Sequence, residues 1–105
     1  MTWPPAHHEA REDFRSAVAY FRNEVSNALA QRFALQAMST VRRARQFPSS
    51  GSPIGGEARR MPIKPFSYDL VYLPAFEGDI YIVAFAHHRR RPGYWRARLG
   101  ESNQD

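Results

Sequence analysis

The stretch IYIVAFAHHRRRPGYWRAR, from Ile80 to Arg98, decides how this chain folds. Its first residues alternate, with Ile80, Ile82, Ala84 and Ala86 on one side and Tyr81, Val83, Phe85 and His87, then Arg89, on the other. A period of two marks a β-strand, and apolar residues on both sides mark a central strand covered on both faces. The aliphatic side is expected under a pair of helices and the aromatic side is expected to be free for a partner. The strand runs directly into Arg89, Arg90 and Arg91, which places guanidinium groups on a stiff support, and Pro92 and Gly93 end it. Tyr94 and Trp95 offer flat faces for stacking, and Arg96 and Arg98 carry the basic character into a short helix or extended arm ending near Leu99. Such a surface suits a polyanionic or nucleic-acid-associated target better than a small neutral metabolite.

Upstream of this strand the periodicity is helical. Between His8 and Val25, Ala10, Phe14, Ala17, Val18, Phe21 and Val25 recur at helix spacing, with Glu9, Glu12 and Asp13 in the opening turns where negative charge is favourable. A second helix is expected from Asn27 to Phe47 on the stripe Ala30, Phe33, Ala34, Ala37, Val41 and Ala44, closed by Arg42, Arg43 and Arg45 and blocked by Pro48. Its small residues allow close approach, so the two helices form an antiparallel hairpin. Pro48 to Ala58 reads as a loop. Arg59 to Lys64 reads as a strand that Pro62 and Pro65 restrict to an edge or a bulge. Tyr68 to Leu73 alternates again, and Pro74 to Asp79 reads as a turn around Gly78. Gly100 to Asp105 is expected to fray. The fold class is α+β: a helical hairpin over residues 8–47, an antiparallel sheet over 59–90 and a C-terminal arm over 91–105, in one domain spanning 1–105.

Bulk composition agrees. With 105 residues, 43% hydrophobic and 13% aromatic, the chain supports one core. The net charge is +5, and fourteen of the fifteen basic residues are arginine, Lys64 being the exception. Arginine favours bidentate contacts with carboxylate and phosphate. Cysteine is absent, which excludes disulfides, thiolate catalysis and cysteine-ligated zinc. The opening MTWPPAHHEA lacks the apolar core of a signal peptide and no run approaches a membrane span, so a cytoplasmic protein with no membrane partner is expected. Neither His7–His8 nor His87–His88 makes a metal site if neighbouring side chains point opposite ways, and nothing calls for a metal or cofactor.

Four segments together resemble the ParE/RelE superfamily of bacterial type II toxins: EAREDFRSAVAYF at Glu9–Phe21, LAQRF at Leu29–Phe33, RRMPIKPFSYDLVY at Arg59–Tyr72, and IYIVAFAHHRRRPGYWRAR at Ile80–Arg98. The last, with its order of strand, histidines, arginine run and Pro-Gly-Tyr-Trp, is similar to the end of the ParE-like, plasmid-stabilisation branch. The resemblance implies a RelE/ParE-like toxin fold and a toxin held in a hetero-oligomer by a cognate antitoxin. The ParE branch implies DNA gyrase as the target. The RelE branch implies ribosome-dependent cleavage of messenger RNA, and fold alone does not separate the two. A basic nucleic-acid-binding domain without toxicity is the third reading.

Cleavage by a 2′-hydroxyl needs a base, an acid and cations around the developing charge, and arginine supplies only the last. Arg60 and Arg89 match basic strand positions of the RelE branch, but the position after the strand tyrosine, an arginine there, is Asp69 here. A carboxylate at that point is expected to repel a scissile phosphate. His87, Arg89 and Tyr94 remain the catalytic candidates, with His88 and Asp69 as further proton-transfer groups. The residues expected to meet target or antitoxin are Arg59, Arg60, Tyr81, Phe85, His87, Arg89, Arg90, Arg91, Tyr94, Trp95, Arg96 and Arg98. The expected role is a ParE-like toxin that binds gyrase without covalent chemistry of its own.

Overall fold

Pro4 and Pro5 keep the chain extended as far as His7, whose Nδ1 accepts the Glu9 amide at 3.0 Å and so caps the first helix. The computed structural model describes residues 2–102. Helix α1 spans His8–Glu24 and α2 spans Asn27–Gln46, the latter capped by the Ser26 hydroxyl accepting the Leu29 amide at 3.1 Å. A single 3-10 turn at Pro48–Ser50 leads to four strands, β1 (Ser52–Pro53), β2 (Arg59–Pro62), β3 (Tyr68–Phe76) and β4 (Asp79–His87), and then helix α3 (Arg96–Ser102). The strands form one antiparallel sheet in the order β1-β2-β3-β4. The α+β hairpin-on-sheet architecture expected from the sequence is therefore the one observed.

The helices lie on one face of the sheet. Ala10, Ala17, Phe33, Ala37 and Val41 pack there with Leu70, Tyr72, Ile80, Ile82 and Phe85. Alanines at the helix stripe bring the backbones close, and Phe33 fills the centre, meeting Phe14, Phe21, Phe66 and Tyr68 at ring-centroid distances of 5.0–6.1 Å. The second face carries its own cluster: Ala58, Val71, Tyr81, Val83 and Ala84 under Trp95.

Strand β4 departs from the sequence reading in two ways. It is an edge strand, paired by β3 alone on one side. Its alternation also changes phase midway. Val71 pairs with Ala84 but the next residue, Tyr72, pairs with Ile82, so Val83 is an inserted residue at a β-bulge. Ile80 and Ile82 face the helices as expected, yet beyond the bulge Phe85 turns under the helices while Ala84 and Ala86 move to the second face.

Two further boundaries shift. Pro74 and Ala75 belong to β3, where a second irregularity between Leu73 and Phe76 accommodates the proline. The turn shrinks to Glu77–Gly78, with φ +51° and +83°, the two positive angles of a type I′ hairpin. Glu77 is thus a non-glycine residue in the left-handed region. Glu77→Asn is expected to stabilise the fold by roughly 0.5–1 kcal/mol, seen as a higher urea midpoint at unchanged slope. Strand β2 is inside the sheet rather than at its edge, but β1 reaches only Arg59 and Arg60, which leaves Pro62 no ladder bond to miss on that side. The expected fraying of Gly100–Asp105 is met by α3 continuing to Ser102, and 103–105 lie outside the described residues.

The end of α2 is tied to the β3–β4 hairpin by a two-pronged pair, Arg45 Nε to Asp79 Oδ1 at 3.2 Å and Nη2 to Oδ2 at 2.8 Å. Burial alone would push the Asp79 carboxyl up, but the Arg45 hydrogen bond, the Ile80 amide and the Arg45 charge outweigh it and hold it below its ordinary value. A lowered carboxyl contributes stability above its unfolded pKa of about 4 and loses it as pH falls through the folded value. The difference in Tm between wild type and Asp79→Asn is therefore expected to be full near pH ~7 and to shrink below pH ~4.

Candidate functional site: a cationic groove on the second face of the sheet

Because β4 is an edge, its outward backbone groups need partners. Ile82 is served by the N-terminal segment, its amide donating to Pro5 O and its carbonyl accepting from His7 N, both at 2.9 Å. Past the bulge the partners are side chains. The Phe85 amide donates to Asp13 Oδ2 at 3.2 Å, and Val83 O accepts from Arg98 Nη1 at 3.0 Å. Asp13 and Arg98 in turn pair with each other, Nη1 to Oδ2 at 2.7 Å and Nη2 to Oδ1 at 3.3 Å. Arg98 is only 6% exposed. Burial works against its charge, and the Asp13 hydrogen bond and carboxylate hold the guanidinium above its ordinary pKa. One ion pair thus joins α1, the edge of β4 and the C-terminal arm.

That pair fixes the arm across the second face. Trp95, 5% exposed, packs into the Val71–Val83 cluster, and the Tyr94 hydroxyl reaches Asp13 Oδ2 at 3.4 Å. The expectation that the aromatic side of β4 is free for a partner is therefore corrected: the arm covers it. Tyr81 and Trp95 are core on this face and Phe85 is core under the helices. Arg98 is likewise taken up by the fold. Nor are the ring faces of Tyr94 and Trp95 open for stacking. The Arg90 guanidinium lies 3.8 Å from the Tyr94 ring centroid with Arg98 at 5.1 Å, and Arg96 lies 4.8 Å from that of Trp95.

Between the arm and the ends of β2, β3 and β4 is an open groove of about 410 Å³. Ile54, Val71 and Ala86 form its apolar floor with Trp95, and Arg60, Arg90, Arg91 and Arg96 form its rim. Among the described residues Asp69, 7% exposed, is its one carboxylate. It accepts from Arg60 Nη1 at 3.3 Å and meets His88 Nε2 at 3.1 Å. The expected repulsion of phosphate by Asp69 is thereby offset by two cationic or cation-forming neighbours.

The remaining candidates separate. Arg59 points away, donating to Gly51 O at 2.7 Å and Ser49 O at 3.2 Å, and so secures the loop after α2. His87 turns its ring edge-on to Tyr68, and its Nδ1 accepts the Arg89 amide at 2.9 Å. Partial burial, then the charges of Arg89 and His88, lower its pKa, so it is neutral near pH 7. Burial, then Asp13, push the Tyr94 phenol up to about 12. Arg89, Arg90 and Arg91 lie beyond the end of β4, in the turn that leads to Gly93, rather than on the strand itself.

His7 and His8 also depart from expectation. At a helix start rather than in a strand, their rings stack at 4.4 Å, and with Glu9 they bring three ligand-type atoms within 4.8 Å. His7 Nδ1 already accepts the Glu9 amide, so in the neutral ring Nε2 carries the proton and has no lone pair for a metal. Asp13, which fixes the arm beside the groove, is the residue that its sequence position in the opening turns of α1 did not single out. It lies three residues after Ala10 and four before Ala17, both buried, and that spacing alone put it on the inner face of α1.

Among the described residues no helix is long and apolar enough to cross a membrane. No curated protein gives a significant match to the chain. Residues 6–92 match the family described as the ParE toxin of the type II toxin–antitoxin system, parDE, a stretch that holds α1, α2, the whole sheet and the three consecutive arginines, and that ends before Tyr94 and α3. With the hairpin-on-sheet fold and the arginine-rimmed groove, this match over most of the chain shows that it belongs to the ParE toxin family, which implies an antitoxin partner.

Proposed function

We propose that the protein arrests growth by binding DNA gyrase through the arginine-rimmed groove, performs no bond-breaking step itself, and is neutralised when its antitoxin engages it. The observation that carries this reading is the state of the groove's proton-transfer groups. Tyr94 holds its proton up to about pH 12 and is bound to Asp13. His87 is turned to Tyr68 with Nδ1 engaged. The guanidiniums around them do not titrate near neutrality. With Tyr94 and His87 both engaged in this way, an arginine rim around them is better suited to docking than to cleavage.

One contact favours a second reading, the ribosome-dependent endonuclease. His88 Nε2 meets Asp69 Oδ1 at 3.1 Å on the groove wall, an orientation a general base would use, with Arg60 beside it. Purified protein assayed for supercoiling by gyrase and for transcript integrity in a translation reaction separates the two. Inhibited supercoiling or trapped cleaved complexes with intact transcripts is the expected result. Cut transcripts with normal supercoiling overturn it, and loss of cutting in His88→Ala would then assign the base.

A further inference from the structure

We infer that the groove takes a segment of the protein target in which one large apolar side chain is flanked by carboxylates. The inference rests on the preceding reading in taking the target to be a protein, and adds what that protein must present. The floor is apolar, made by the aliphatic side chains of Ile54, Val71 and Ala86 with Trp95. A volume of about 410 Å³ admits one large side chain with room for its backbone neighbours. The rim supplies guanidiniums that are already held in place: Arg90 sits over the Tyr94 ring, and Arg96 over the Trp95 ring while its Nη2 donates to Ile54 O at 3.0 Å. Among the described residues the Arg91 side chain makes no hydrogen bond or ion pair, so it is free for an incoming anion. Planar forks held in place favour bidentate carboxylates.

A nucleic-acid strand fits this groove less well. It would supply phosphates to the rim, but its bases need open ring faces, and those of Tyr94 and Trp95 are occupied by Arg90 and Arg96. An apolar floor built mainly of aliphatic side chains rewards a leucine-sized anchor, which no strand of nucleic acid carries. Asp69, already paired with Arg60 and His88, leaves the other three rim guanidiniums unneutralised. Apolar depth inside a cationic rim selects an acidic segment with a hydrophobic centre.

The test uses the full chain with labelled methyl groups and four probes: a capped pentapeptide with one leucine between pairs of glutamates, its alanine-centred version, a version with lysines in place of the glutamates, and an eight-nucleotide thymidine strand. The leucine peptide is expected to shift the Ile54, Val71 and Ala86 methyl signals saturably. The alanine peptide should bind about tenfold more weakly, and the lysine peptide not at all. Arg91→Ala, which breaks no side-chain hydrogen bond or ion pair among the described residues, should weaken the leucine peptide several-fold. Equal binding of the leucine and alanine peptides, tighter binding of the thymidine strand, or no saturable shift at millimolar peptide overturns the inference. So does Arg91→Ala weakening the antitoxin complex while growth arrest is unchanged, which would give the groove to the antitoxin. Peptide binding as expected with supercoiling untouched supports the groove chemistry and removes only gyrase as the target.

Discussion

Asp13→Ala and Arg98→Ala are each expected to destabilise the protein by about 3–5 kcal/mol, the cost of leaving one charge of a buried pair alone. The side chains are 10% and 7% exposed, so solvent offers neither charge a substitute partner. Each substitution also strands backbone groups at the edge of β4: the Phe85 amide without Asp13, the Val83 carbonyl without Arg98. At roughly 4–8 °C of Tm per kcal/mol in a domain of this size, either variant should melt more than ~10 °C below wild type. Replacing both residues with apolar ones removes the lone charge and should recover part of the stability, leaving the cost of the unmet Val83 and Phe85 groups. A double-mutant cycle therefore gives a coupling of more than about 1 kcal/mol. Single variants within about 0.5 kcal/mol of wild type would show that the arm is not held by this pair.

The same pair explains what the sequence made legible and what it hid. The helical hairpin was readable because its signals are local: alanine and phenylalanine stripes at helix spacing, Ser26 ahead of α2 and Pro48 after it. Strand β4 was readable as a strand because period two holds on either side of Val83. The bulge at Val83 was not, because an inserted residue leaves no mark in an all-apolar run, and it sends Phe85 to one face and Ala86 to the other. Position within the sheet was equally hidden. Residues apolar on both sides fit a central strand, and here the second cover is the chain's own Trp95 and Leu99 folding back over an edge strand. Arg60, Arg90, Arg91 and Arg96, grouped from their spacing, do line one groove. Arg59, Arg89 and Arg98 do not join them: Arg89 sits in the turn after β4 outside the groove lining, and Arg59 and Arg98 are anchored on backbone carbonyls, which sequence does not distinguish from free arginines. Glu77–Gly78 was visible as a turn, but its two-residue length depended on pairing Phe76 with Asp79.

Reversing the outer rim is expected to have the largest functional effect. Arg90→Glu/Arg91→Glu removes two positive charges and adds two negative ones at the mouth of a groove whose wall already holds Asp69. Like charges brought together at an interface cost several kcal/mol, so target binding should fall at least about a hundredfold. The fold should tolerate the change. Both residues are exposed, and the internal interaction given up is the stacking of Arg90 on Tyr94, worth roughly 0.5–1 kcal/mol at an exposed site. Stability and activity are thus expected to separate, in contrast to Asp13→Ala, where both fall together.

Growth of cells expressing wild type or Arg90→Glu/Arg91→Glu, with each protein's Tm measured alongside, therefore bears most directly on the groove as the acting surface. Arrest by wild type and normal growth with a folded double variant is the result expected. Undiminished arrest by the double variant at equal protein level would contradict it and place the acting surface elsewhere on the molecule.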